Sequence, residues 1–261
     1  MEVTDAVFYF DDKALEYRII DPQVGRKDDE ATIVMLHEGL GSISLWKEFP
    51  QLVAEVTQTR VVLYSRLGYG NSTPLTEARS VRYMHDEALI TLPALLSHLE
   101  VTTSILVGHS DGASISIIYA GGGGYAVDGL VLLAPHIFVE DVTVRSIEAA
   151  RNTYLTTDLP KKLSRYHCDS ESTFWGWNDI WLSPDFRSWN IEAYVKKLTC
   201  RSLLIQSTED PYGSIDQIKC IERLSPKPTK LVLLEDCGHS PHVDQRELTL
   251  KSLVDFVSSL R

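Results

Sequence analysis

The sequence predicts an α/β domain: a mainly parallel sheet flanked by helices and interrupted by one helical insertion. Three features point to it. Short, continuous apolar runs recur at 32–36, 60–65, 104–108, 130–134, 202–206 and 230–234. Runs of that length bounded by turn residues suit strands covered on both faces. Helical patterns separate them at 45–57, 82–100, 113–120, 214–224 and 247–260, and strand–helix–strand repetition implies parallel pairing through crossovers. The alternation fails only between Pro135 and Leu198. No strand pattern is found there, and four of the five tryptophans (Trp175, Trp177, Trp181 and Trp189) collect in it.

In chain order, 6–10 and 15–21 read as an opening hairpin and the polar stretch 21–30 as a loop. The run at 32–36 is the first strand expected to be buried on both faces. Pro93 lies inside the helical pattern 82–100, so a kink or two shorter helices are expected there. The glycine run Gly121–Gly124 follows the helix at 113–120 and reads as its C-cap and a flexible turn. Segment 136–198 is expected to form a lid over the C-terminal edge of the sheet, with 1–135 and 199–261 as the core domain. No internal repeat interrupts this order.

At 261 residues the chain is long enough for one sizeable core. Its net charge of −11 argues against nucleic acid and anionic membrane as partners, since both call for basic patches. No segment approaches the ~18 apolar residues of a membrane span, and the N-terminus lacks a basic start followed by an apolar run. The four cysteines (Cys168, Cys200, Cys220, Cys237) show neither a C-x-x-C pair nor metal-like clustering. Reduced thiols in a cytoplasmic protein, with no metal and no cofactor, are expected.

The chemistry concentrates at Gly108-His109-Ser110-Asp111-Gly112, a G-x-S-x-G pattern with a buried strand before it and a helical pattern after it. A tight strand-to-helix turn crowds the positions two residues either side of the serine, which suits glycine at both. The same turn presents the hydroxyl at a helix N-terminus, where N–H groups and the dipole favour developing negative charge. This segment resembles the nucleophile elbow of the α/β-hydrolase superfamily, and the resemblance extends over nearly the whole chain, weakest in the insertion.

The resemblance implies a Ser-His-Asp triad in the order nucleophile, acid, histidine. The stretch Ser207-Thr208-Glu209-Asp210-Pro211 looks like the family's post-strand acid loop. Asp210 takes the matching position and Glu209 is the neighbouring alternative. Gly238-His239, before the last helix, is similar to the catalytic histidine loop, which makes His239 the base and His242 the lesser candidate. His85, His98 and His167 read as surface or structural groups.

An oxyanion hole is implied at the backbone N–H of Asp111 and at the loop Leu36-His37-Glu38-Gly39-Leu40-Gly41-Ser42, which resembles the family's His-Gly-x-x-Gly loop. Gly39 takes the donor position, with Leu40 as the alternative. Two acids depart from the pattern: Glu38 stands where glycine is usual, and Asp111 follows the nucleophile directly. Either their side chains are paired structurally, or they meet a polar or cationic part of the substrate or hold a water. The stretch 64–72 resembles the family's loop after the fourth strand, with Ser65 where aspartate is common; its Arg66 could reach Glu38 or Asp111.

These residues imply acyl transfer to water. A small or medium carboxylic ester or thioester is the expected substrate, with Glu38, Trp175, Trp177 and Trp181 as candidate contacts. A carbon–carbon bond hydrolase of the meta-cleavage-product type would use the same triad. A binding protein that holds a small ligand without turnover is the reading from another class. A small molecule is the expected partner, with homodimerisation left open.

Overall fold

The computed structural model describes residues 1–22 and 31–261. Most of the loop expected at 21–30 therefore lies outside the described residues. Eight strands form one sheet in the order β1-β2-β4-β3-β5-β6-β7-β8: β1 (Glu2–Phe10), β2 (Lys13–Asp21), β3 (Thr32–Leu36), β4 (Val61–Tyr64), β5 (Thr103–His109), β6 (Ala126–Leu133), β7 (Arg201–Ser207) and β8 (Thr229–Leu234). The β1–β2 hairpin joins the sheet antiparallel through β2 and β4, and every other pair is parallel. Six of the expected strands are thus the parallel ones.

Each central strand feeds two cores, because successive side chains point to opposite faces. Ile33 and Met35 join Val107, Leu133, Leu203 and Ile205 on one face, packed by Phe49 and Val53 of α1 (Phe49–Thr57). Val34 and Leu36 join Leu106, Leu132 and Leu204 on the other. That second face is covered by α2 (Leu92–His98) and α3 (Asp111–Gly122). α3 is buried from Asp111 to Gly121, and its Ser114 and Ser116 hydroxyls are satisfied by the carbonyls of His136 and Gly112. Gly123 caps it at φ 91° and ψ 148°, and Gly124 follows at φ 94°, positive angles that glycine adopts without steric cost.

Two helices are less continuous than their periodicity suggested. In place of one helix at 45–57, a 3₁₀ turn (Ile43–Trp46) precedes α1, because Lys47 turns the chain at φ 54° and Pro50 can sit only in a helix's first turn. The pattern at 82–100 divides into Tyr83–Asp86, a π-helical turn at Glu87–Thr91, and α2. Pro93 lacks the N–H that would bond the carbonyl of residue 89, and the π turn absorbs the mismatch just before it.

Between β6 and β7 the chain is helical, chiefly α4 (Asp141–Thr156) and α5 (Ser170–Leu182), with one isolated bridge between Phe138 and Asn190. Asn178 of α5 accepts from Arg151 Nε at 2.8 Å and donates to the Ile147 carbonyl at 3.0 Å, tying the two helices. His167 fixes this insertion to the sheet loops: it accepts from the Gly70 N–H at 2.9 Å and meets the Leu40 carbonyl at 3.0 Å. After β7 come α6 (Asp216–Leu224) and, last, α7 (Arg246–Ser258), which packs on the face held by α1. Among the described residues no helix is long and apolar enough to cross a membrane.

Candidate active site

Ser110 stands between β5 and α3 with φ 51° and ψ −121°, a backbone conformation that non-glycine residues rarely adopt. Its N–H is anchored on the Leu133 carbonyl of β6 at 2.8 Å. The flanking glycines are sterically required. A Cβ on Gly108 would fall 2.4 Å from the Gly112 carbonyl oxygen, and one on Gly112 would fall 2.1 Å from the Leu36 oxygen.

The loops after β7 and β8 complete a chain of hydrogen bonds. His239 Nε2 lies 2.8 Å from Ser110 Oγ, and His239 Nδ1 lies 2.8 and 2.9 Å from the two oxygens of Asp210. Asp210 also accepts from Gln206 Nε2 at 3.0 Å and from the Tyr212 N–H at 2.8 Å. Burial opposes its ionisation, but the bond to and charge of His239, with the Tyr212 N–H, hold the carboxyl below its ordinary range. Glu209 is exposed. His242 is buried against Trp46 and Phe49, and burial beside His109 pushes its pKa down to about 3. The structure thus brings Ser110, Asp210 and His239 together and leaves both alternatives outside the chain.

The hydroxyl opens into a cavity of about 170 Å³. Its walls come from Glu38, Gly39 and Leu40 after β3, from Thr143, Ile147 and Trp177 of the insertion, and from His136, Tyr212 and Ser240 at the sheet edge. Trp177 lies so close over Gly39 that a Cβ there would meet its Nε1 at 2.1 Å. The main-chain N–H groups of Gly39, Leu40 and Asp111 donate no hydrogen bond among the described residues. Unpaired main-chain donors in a protein interior are uncommon, and these three flank the nucleophile. Of the tryptophans expected to contact substrate, only Trp177 lines the cavity. Trp175 packs on Tyr154 and Phe174, away from Ser110, and Trp181 donates to Asp111 Oδ1 at 3.3 Å.

The two departing acids have separate fates. Asp111 is buried and held by Tyr83 Oη at 2.8 Å, Trp181 and Arg66 Nη1 at 3.6 Å. Arg66 therefore reaches Asp111, and it meets Glu38 only through the main-chain oxygen, at 2.8 Å. The Glu38 carboxylate, about a quarter exposed, faces His109 Nδ1 at 3.3 Å. His109, the variable residue of the elbow, also places Nε2 2.7 Å from the His239 carbonyl. His136 was not singled out in the sequence. It is buried at the cavity wall, its Nδ1 has no partner among the described residues, and desolvation, then the nearby His239, pushes its pKa down to about 3. Its one sequence signal is position: it follows β6, at the carboxyl edge where α/β sheets bind ligands.

Comparison with known proteins agrees with the fold. An esterase from Rhodococcus sp. ECU1013 aligns over 100% of both chains at 22% identity and a TM-score of 0.68. A carboxylesterase from Nitrososphaera gargenis aligns over 98% of both at 16% identity and a TM-score of 0.77. In sequence, a proline iminopeptidase from Lactobacillus acidophilus is 30% identical over 119 residues, 46% of this chain and 39% of that protein. The chain therefore spans well under half the length of that relative. Residues 33–251, from β3 into α7, match the family model described as the alpha/beta hydrolase family, and the chain belongs to that family.

Proposed function

We propose that this protein is a serine hydrolase that cleaves a small or medium carboxylic ester or thioester through an acyl-enzyme. The observation that carries the reading is the unbroken Ser110–His239–Asp210 hydrogen-bonded chain at the wall of a cavity. Ser110 Oγ attacks the acyl carbon while His239 Nε2 takes its proton. The carbonyl oxygen becomes an oxyanion received by the N–H groups of Asp111 and Gly39, with Leu40 as the neighbouring donor. His239 then gives the proton to the leaving group as the bond to it breaks. A water, deprotonated by His239, hydrolyses the acyl-enzyme in the reverse sense.

A cavity of about 170 Å³ falls below the roughly 300–1,000 Å³ typical of sites for drug-sized ligands, which favours a short acyl group. Segment 136–198 acts as the lid, with Thr143, Ile147 and Trp177 over the reacting centre. The test is a panel of p-nitrophenyl esters of rising chain length, a thioester, proline p-nitroanilide and a ring-cleavage dienone, each run with Ser110→Ala. Multiple turnover on a short ester, lowered by about 10⁶ in kcat in the variant, is expected. Preference for the anilide or the dienone would reject the ester reading, and slow single turnover with a retained ligand would reject an enzyme.

A further inference from the structure

We infer that His109 is an imidazolium paired with Glu38, and that this charged pair positions His239 for proton transfer; the inference rests on the serine-hydrolase reading of the same site. Both ring nitrogens of His109 face oxygen acceptors: Nδ1 meets the Glu38 carboxylate at 3.3 Å and Nε2 the His239 carbonyl at 2.7 Å. A neutral imidazole carries one N–H, so one of these contacts would set a lone pair against an oxygen. Only the protonated ring donates to both. The surrounding titratable groups agree. Glu38 comes from the loop after β3, Asp210 from the loop after β7, and His239 and His242 follow β8, their rings 5.2 and 5.0 Å from that of His109. Burial disfavours charge on His109, and the Glu38 bond and charge outweigh it.

Two consequences follow for the chemistry. His109 directly precedes Ser110, so its Nε2–H clamps the main chain of the base to the strand that carries the nucleophile. Pairing also cancels the Glu38 charge beside the developing oxyanion, which explains how an acid is tolerated where the related loop carries glycine.

The test combines spectroscopy with kinetics. In ¹⁵N-histidine-labelled protein, His109, assigned by loss of its signals in His109→Asn, should show two protonated nitrogens at pH 7, above the ordinary histidine value near 6.5. In Glu38→Gln it should show a neutral ring with one N–H. Loss of the paired charges next to the catalytic centre should displace the acid limb of the kcat/KM profile from that of the wild type by at least about half a unit. A neutral donor holds the His239 carbonyl less strongly than a charged one, and the looser placement should lower kcat about 10-fold, with KM within about threefold. A neutral His109 in the wild type at pH 7 overturns the inference. So does a Glu38→Gln profile that coincides with wild type, even where its melting temperature falls. Should that variant not fold, the wild-type spectrum decides. Activity surviving in Ser110→Ala would defeat the underlying hydrolase reading and leave the charge state of His109 to be read separately.

Discussion

Asp210 shows how one carboxylate can set the state of the base. Its oxygens accept from His239 Nδ1, the Tyr212 N–H and Gln206 Nε2, so the imidazole must carry its proton on Nδ1 and leave Nε2 open to Ser110. In Asp210→Asn the side-chain amide would turn its own N–H toward Nδ1, reversing the tautomer so that Nε2 can no longer accept the serine proton. We expect kcat on a short ester to fall by about 10⁴ with little change in the far-ultraviolet spectrum; a loss under tenfold would remove the orienting role. The same residues mark what could be read in the sequence. Ser110, Asp210 and His239 were legible because a strained turn demands glycines at fixed offsets and each partner follows a strand. His109, His136 and Tyr212 were not, since their importance comes from facing groups distant in the chain, and no local pattern encodes that.

Helices and strands follow the same division. Runs buried on both faces, such as 32–36 and 202–206, announce themselves, because both sides of the strand must be apolar. β1 is mostly exposed and the start of β6 partly so, and a strand solvated over part of its length carries a broken pattern; both begin four residues earlier than the apolar signal. The insertion was legible as helical, but the tie between α4 and α5 depends on one buried amide. Asn178 is fully buried and donates to the α4 carbonyl of Ile147, and its chain neighbour Trp177 lines the cavity together with Ile147. Asn178→Ala leaves Arg151 Nε without that acceptor and should cost about 1–3 kcal/mol. Thermal scanning should show a lower midpoint. Steady-state kinetics should show KM for short esters raised several-fold, with kcat changed less, because the cavity walls shift while the Ser110–His239–Asp210 chain does not. An unchanged KM would mean that the insertion plays no part in substrate binding.

For the whole molecule, the number of buried histidines dictates its response to acid. Desolvation holds His136 and His242 down to about 3, and His37, His85 and His167 are lowered in the same sense. The unfolded chain therefore binds protons that the folded one refuses. Stability is intact above the unfolded histidine value near 6.5 and is lost as pH falls below it. Glu38 and Asp210, both lowered, add to the loss once pH drops below the ordinary carboxylate range. His109 runs the other way: its raised value contributes stability that is complete below about 6.5 and is lost as pH rises through the folded value. Between pH 7 and 5 the depressed histidines win: His136 and His242 each forfeit about 2 kcal/mol, His37 adds to that loss, and the one raised histidine, His109, offsets only part of it. The roughly 4 kcal/mol from His136 and His242 alone is a sizeable part of the 5–15 kcal/mol typical of a domain. It should lower the melting temperature by on the order of 10 °C. His242→Gln removes one of these contributions, so its melting temperature should fall less than that of the wild type over the same interval, by a difference of several degrees. Equal slopes for variant and wild type would show that the acid sensitivity originates elsewhere.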